Sequence, residues 1–340
     1  GRQQPPGKVA MRPPEFWNAD PAHPGVLARV LGPAAALTAH ATARRVARAP
    51  KMQPDIPVIC VGNLNIGGTG KTPAVIALGA RLSAAGHGVH VVTRGHGGSE
   101  AGPLQVDPLR HSAALVGDEA LLHAAFAPTW VARDRAAGVQ AAQDAGAGVV
   151  LMDDGHQNPD VAKSLSLIVV DAARGFGNGR VFPAGPLREP VAVGLARADL
   201  LLSMGDAGAQ SKFSNLWASA ISVPLLTGQL NPLATGMDWT DLRVFAFAGI
   251  GDPPRFFATL DALGASRVES IALDDHQPLS GALFTRLEGQ AKALGAQLVC
   301  TEKDAVRLSV AERARVLTVP VRLAVDDWAQ LDAALARLGL

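Results

Sequence analysis

Short apolar runs alternate with longer amphipathic stretches along most of the chain. Runs at 57–62, 89–93, 129–132, 148–152, 166–171 and 198–203 have the length and composition of buried strands, and the stretches 72–85, 118–126, 134–145 and 191–196 carry helical spacing. Strands that are apolar throughout and separated by helices predict a mostly parallel sheet covered on both faces. After the Pro- and Gly-containing stretch 224–236 a second series begins, with a strand and turn over 243–251, strands at 267–272, 297–301 and 316–321 and helices at 254–263 and 280–294. A last helix at 326–338 could pack on either unit. The organisation expected is an N-terminal arm and helix (1–52), a larger α/β unit (53–225) and a smaller α/β unit (226–340).

The first strand runs into VGNLNIGGTGKTP, Val61 to Pro73. Gly67, Gly68 and Gly70 allow a tight turn whose N–H groups point at phosphate oxygens, and the helix that follows adds its positive end. Lys71 would reach the outer phosphates and Thr72 would hold Mg²⁺, with Asn65, Ile66 and Thr69 completing a nucleotide-binding loop. Asn65 stands where the strict G-x-x-x-x-G-K-[ST] pattern has glycine, so the bland alternative is a Gly-rich turn with an incidental lysine. The fold expected is therefore of the P-loop NTPase type. VVLMDDGHQ, Val149 to Gln157, ends an apolar strand in two acids, which suits metal binding by Asp153 or Asp154. Neighbours on an extended chain point to opposite sides, so one of them is expected to face the metal.

Gly25 to Lys51 is the longest remaining apolar stretch, and Arg29 and His40 interrupt it, so it does not meet the transmembrane criterion. As a helix it gathers Val26, Leu27, Val30, Leu31, Ala34, Leu37 and Ala41 on one face and ends in Arg44, Arg45, Arg48 and Lys51. Such a helix could lie on an anionic membrane or pack on its own domain. Its apolar part begins too far along the chain for a cleaved signal peptide. The 340 residues carry a net charge of +1, which gives no global field for nucleic acid. Cys60 and Cys300 both fall inside apolar strands and are expected as free, buried thiols of a reducing compartment.

Two motifs resist a purely structural reading. RGFGNGRVFPAGPLREP, 174–190, combines three arginines with glycines and prolines, and an Arg-rich loop at the carboxyl ends of parallel strands suits anionic ligands. In VGDEALLHA, 116–124, Asp118 could cap the following helix or act as a base.

The chain resembles the tetraacyldisaccharide 4′-kinase family in GNLNIGGTGKTP, TRGHGG (93–98), VGDE (116–119), DDGHQ (153–157), VVDAARGFGNGRVFPAGPLREP (169–190), AGIGDPPRFF (248–257), LDDHQ (273–277) and TEKDAVRL (301–308). These run in family order from about residue 14 to 325. The resemblance implies transfer of the ATP γ-phosphate to the 4′-hydroxyl of a lipid A disaccharide precursor, with Mg²⁺, at the cytoplasmic face of the bacterial inner membrane. The N-terminal helix would provide peripheral or monotopic docking there. Asp118 is similar to the family's proposed base and His276 to the histidine that orients it, a pairing that contributes about 10² to 10⁴ in rate. Since His276 belongs to the second unit, catalysis would require the two units to close. Arg188 matches an arginine near the transferred phosphate, and Thr72, Asp153 and Asp154 match the metal site. Arg94, Glu119, Gln157, Arg180 and Glu189 are implied in contacting substrate or supporting these groups.

Departures from the family pattern are Asn65 for Ser or Thr, His96 for Tyr, and Asn158 and Gln277 for His. Asn65 would still donate to phosphate. The alternatives are a partitioning ATPase of the ParA/MinD type, a GTP-binding switch, a kinase for another membrane glycolipid, or a non-catalytic membrane module. Ile66 stands where the first has lysine, TEKD places its lysine one position late for guanine readout, and the joint presence of Lys71, Thr72, Asp118, Asp153, Asp154 and His276 speaks against the last.

Overall fold

The computed structural model describes residues 13–275 and 277–340. The N-terminal apolar stretch folds as two helices, α1 (Gly25–Val30) and α2 (Gly32–Val46), rather than as one continuous element reaching Lys51. Pro33 sits in the first turn of α2 and has no N–H to extend α1, so the chain breaks at Leu31. From there run β1 (Val58–Gly62), α3 (Lys71–Ala84), β2 (Val89–Thr93), β3 (Leu104–Gln105), α4 (Ala113–Val116), α5 (Asp118–Ala124), β4 (Thr129–Val131), α6 (Arg135–Asp144) and β5 (Val149–Asp153). β6 (Leu165–Asp171), α7 (Val191–Leu195), β7 (Leu200–Met204), α8 (Ala207–Trp217) and β8 (Leu225–Pro232) complete the first series. The second comprises β9 (Arg243–Ala248), α9 (Pro253–Ala262), β10 (Ser266–Ala272), α10 (Gly281–Ala293), β11 (Gln297–Thr301), α11 (Glu302–Ala305), α12 (Val310–Arg313), β12 (Leu317–Val319), β13 (Val321–Val325) and α13 (Ala329–Ala336).

The larger sheet has the order β13-β8-β7-β6-β1-β5-β2-β4-β3, parallel except for the edge pairs β13/β8 and β3/β4. β1 lies between β5 and β6, with Ile59 opposite Leu151 on one side and Leu165 on the other. Its residues are fully buried on both faces: Ile59 and Val61 join the core under α3, while Val58 and Cys60 join the core against α6. That two-sided burial is why the strand reads as a continuous apolar run rather than an alternating one. Gly70 takes a left-handed conformation (φ 87°) at the start of α3, where a Cβ would meet the Met204 side chain. The phosphate loop and the sheet floor therefore approach each other more closely than any other residue would allow.

The second sheet, β10-β9-β11-β12, is all parallel and is flanked by α9 and α10, which contribute Phe256 and Leu260 on one face and Phe284 and Leu287 on the other. Two expectations need correction here. The stretch 224–236 holds β8, a full member of the first sheet. The single strand expected at 316–321 is two, because Pro320 interrupts the ladder: β12 ends the second sheet and β13 crosses back to pair antiparallel with β8. α13 follows β13 and packs Leu331 and Leu335 into the same core as Leu78 and Leu82 of α3, with Arg81 and Asp332 paired outside it (Nε to Oδ1 2.7 Å). Cys60 and Cys300 are free and buried.

His156, just after β5, is buried to 3% exposure, and its Nε2 lies 3.0 Å from the Gly194 carbonyl, so this nitrogen carries the proton. Burial, and then the positive charge of Arg197, pushes its imidazole down from 6.5 to about 4.

Two outcomes follow from this packing. Leu331→Ala should lower the unfolding free energy by about 2–5 kcal/mol, because it opens a cavity in the main core although it lies after the second sheet in sequence; urea unfolding measures this. Between pH 6.5 and 4 the unfolded chain binds a proton at His156 that the folded chain refuses. Stability should therefore fall by roughly 3 kcal/mol on acidification across that window, and His156→Gln should flatten the slope. Neighbouring Glu189 is held below its ordinary 4.5, so its own contribution is lost only at lower pH.

Candidate active site

The carboxyl ends of β1, β5 and β6 lie side by side, and each feeds one part of the site. After β1 the phosphate loop is braced by Asn63, whose Nδ2 donates to the Gly67 carbonyl at 3.2 Å. The loop after β6 is zipped to it by backbone bonds: Ile66 N donates to Pro186 O (2.7 Å) and Arg188 N donates to Leu64 O (2.7 Å). This pairing sets Arg188 beside Lys71 across more than a hundred residues of chain. The Asn65 amide, expected as a phosphate donor, points instead into the Arg-rich loop and donates to the Gly175 carbonyl at 3.0 Å. Thr69 is buried with its hydroxyl unpartnered, and Gly68 and Thr69 border a cavity of about 460 Å³ together with Asp171, Arg174 and Gly251.

The two acids ending β5 part company. Asp153 is 1% exposed and lies beneath the site, its Oδ2 3.2 Å from His123 Nε2. Asp154 turns into the left-handed region (φ 54°) and swings its carboxylate toward the cations. Arg188 grips it with a fork, Nη1 to Oδ1 at 2.8 Å and Nη2 to Oδ2 at 3.3 Å, and Lys71 Nζ lies 3.6 Å away. Burial works to raise the Asp154 carboxyl, but Lys71 and Arg188 outweigh it and hold it below the usual range. Arg188 is itself buttressed: Nη1 donates to Gln157 Oε1 (3.2 Å), Gln157 Nε2 donates to Glu189 Oε1 (3.0 Å), and Glu189 is clamped by Arg197 through two 2.9 Å bonds. Glu189, 1% exposed, thus supports the site from behind and does not face the cavity.

A second cavity, about 730 Å³, opens between the site and α2. Arg94, Asp154, Gln157 and Arg188 line one side, and Arg45 at the end of α2 and Arg48 just after it line the other. α1 and α2 turn their small residues Ala28, Ala35 and Thr42 inward. Val26, Val30 and Leu37 are left 77%, 68% and 73% exposed. Among the described residues, no helix is long and apolar enough to cross a membrane.

Asp118 begins α5 at 4% exposure. It does not cap the helix: Gly117 occupies the N-cap position, and the Asp118 Oδ1 accepts from its neighbour Glu119 N at 3.0 Å. Its Oδ2 accepts from Arg307 of the second unit. Glu119 reaches toward Lys303 at 3.9 Å. His276 lies outside the described residues; Asp275 beside it is 3.6 Å from Lys303. Arg180 is exposed and lines neither cavity.

Sequence reasoning passed over His123, Arg197 and Arg307. Arg197, just after α7, has no motif to mark it, and His123 lay within the noted VGDEALLHA, where attention fell on Asp118. Arg307 lay within the noted TEKDAVRL, where only its partner across the fold gives it meaning.

For a divalent cation, the fit rests on Asp154, which faces the cavity on the same side as Lys71, and on the Asp153 Oδ1, buried without a hydrogen-bond partner. Few protein oxygens beside a phosphate loop suit Mg²⁺, which keeps most of its shell as water and phosphate. Thr72, in the first turn of α3, adds a hydroxyl.

The family model described as tetraacyldisaccharide-1-P 4′-kinase matches residues 27–339. Two relatives named tetraacyldisaccharide 4′-kinase are similar along nearly their whole length. That from Dinoroseobacter shibae is 62% identical over 96% of this chain and 98% of its own. That from Jannaschia sp. is 56% identical over 96% and 99%. Among solved structures, LpxK from Aquifex aeolicus in complex with ATP shares the fold, with a TM-score of 0.74 at 23% identity over 92% of this chain and 99% of that one. With a match this long and a phosphate loop, acidic strand end and Arg-rich loop converging on one cavity, the chain belongs to the tetraacyldisaccharide-1-P 4′-kinase family.

Proposed function

We propose that the chain transfers the γ-phosphate of ATP to the 4′-hydroxyl of a tetraacyldisaccharide 1-phosphate, the lipid A precursor, while docked on the cytoplasmic face of the inner membrane. The observation that carries this reading is the shared cavity: the same space is lined by Asp154 and Arg188 at the phosphate end and by α2 at the other. A sugar headgroup can lie there while its acyl chains run out along the exposed apolar residues of α1 and α2. The basic residues Arg45 and Arg48 offer a counter-charge for the substrate's own phosphate and for anionic lipids.

Lys71 and Arg188 neutralise charge on the transferred phosphoryl group. Asp154 holds both cations. A triphosphate carries more negative charge and competes for them, which frees the Asp154 carboxylate. Asp154 and Thr72 would then hold Mg²⁺, which supplies further neutralisation of the phosphates. Gln157, Glu189 and Arg197 keep the Arg188 guanidinium aimed during this exchange. Asp118 takes the proton from the sugar hydroxyl, with His276 orienting it. Excluding water from the headgroup favours transfer to the sugar over hydrolysis.

Incubation with γ-labelled ATP and detergent-solubilised tetraacyldisaccharide 1-phosphate should label the lipid at the 4′ position only when Mg²⁺ is present. ATP hydrolysis without lipid labelling would overturn the reading. Asp118→Asn should lower kcat by about 10² to 10⁴ with the fold intact, and Lys71→Ala should impair nucleotide binding as well as turnover. Val30→Ser with Leu37→Ser should weaken sedimentation with phosphatidylglycerol vesicles by about tenfold or more, since each removes roughly 1.5–3 kcal/mol of apolar burial. Unchanged sedimentation would place docking elsewhere.

A further inference from the structure

Two motifs of the second unit, AGIGDP and TEKDAVRL, take no part in the chemistry described above, yet they converge on Asp118. The Arg307 guanidinium donates from Nε (3.1 Å) and Nη2 (2.8 Å) to the Asp118 Oδ2. Arg307 is 6% exposed in its side chain, and its remaining donors are also engaged: Nη2 reaches the Gly249 carbonyl at 3.0 Å and Nη1 reaches the Asp304 Oδ1 at 3.3 Å. Asp304, fully buried, accepts in turn from Gly249 N at 3.0 Å and from the Thr301 hydroxyl at 2.6 Å. At Gly249 a Cβ would lie 3.0 Å from Arg307 Nη1 and 3.1 Å from Asp304 Oδ1, so the cluster closes around a residue without a side chain.

We propose that Arg307 is a positioning residue of the Asp118 carboxylate in addition to His276, and that Thr301, Asp304 and Gly249 form the seat that holds Arg307 for this purpose. The inference rests on the reading of Asp118 as the base. A buried carboxylate–guanidinium–carboxylate cluster is a poor device for docking two units, because apolar residues of similar volume stabilise such a contact at least as well. What a planar fork does better is fix the orientation of the carboxylate it grips. Bonds from Arg307 to Oδ2 and from Glu119 N to Oδ1 together prevent rotation of the Asp118 carboxylate about its own axis. The geometry also ties the base to the second unit. Arg307 moves with β9 and β11, while Val306 packs beside Val116 and Leu121 next to Asp118, so displacement of the second unit changes the aim of the base directly.

A double-mutant cycle on the full chain tests this, with kcat and the KM for ATP measured by lipid labelling. Arg307→Gln should lower kcat by about 10- to 100-fold, the scale of a misplaced catalytic group, and leave the KM for ATP within about twofold. In an Asp118→Asn background the same change should cost less than about twofold, because the group through which Arg307 acts is already gone. Arg307→Lys, which keeps the charge without the fork, should recover part of the loss, and it replaces Arg307→Gln in the cycle if thermal unfolding shows that variant misfolded. If Arg307→Gln lowers kcat by the same factor in both backgrounds, or not at all, the proposal is overturned. Near-normal kcat in Asp118→Asn alone would remove the base reading, and the proposal with it, before any Arg307 variant is considered.

Discussion

Parallel pairing of β1 with β5 on one side and β6 on the other brings three chain segments to one edge of the sheet, and the rest of the site hangs from that edge. A strand buried on both faces cannot shift register without exposing apolar side chains or leaving ladder bonds unmade. The positions at which β1, β5 and β6 end are therefore set by the core, and the phosphate loop, Asp154 and Arg188 inherit their spacing from it. The short backbone pairing between the phosphate loop and the loop after β6 extends this rigidity past the ends of the strands. A long loop with several glycines and prolines is thereby held to the tolerance that charge recognition needs.

Charge in the site is arranged as an alternating series, from Arg197 through Glu189 and Gln157 to Arg188, Asp154 and Lys71. Each buried member has a partner, which meets the large cost of an isolated charge away from water. The member nearest the cavity, Asp154, is the most exposed of the carboxylates in the series, at 36% of its side chain. It is also the one whose partners a phosphate would claim. Pairing of this kind compensates each charge and leaves cations that a phosphate can claim.

The N-terminal helices and the second sheet approach this edge from different sides. α2 offers small inward residues and a basic end to the headgroup cavity, with its large apolar residues turned away. The second sheet reaches the site through Arg307 and Lys303, which meet Asp118 and Glu119 at the start of α5. The chain then returns: β13 joins β8, and α13 seals the main core. The second sheet is thus inserted between strands of the first, and both of its ends are anchored there.

Much of this was legible in the sequence because it rests on local chemistry. The strands β1, β2, β5, β6 and β7 announce themselves as apolar runs, α3 by its spacing after a glycine-rich turn, and the tetraacyldisaccharide 4′-kinase resemblance by motifs carried in order. β8 and the split at Pro320 were not legible, since β8 is only half-covered and its pairing with the edge strand β13 is set by a partner far along the chain. The residues placed around Asp154 were named from motif and resemblance, but nothing local could say that Asp153 would lie below with His123 while Asp154 turned outward, or that the Asn65 amide would point away from the loop. Nor could TEKDAVRL reveal that its arginine closes on Asp118. By itself the sequence determined the alternating elements, the phosphate loop and the chemical types available, because these depend on neighbours within a few residues. Only the tertiary structure decided which acid faces the cavity, which arginine grips which carboxylate, and how the second unit meets the base, because those choices depend on burial and partners that exist only once distant segments share one core.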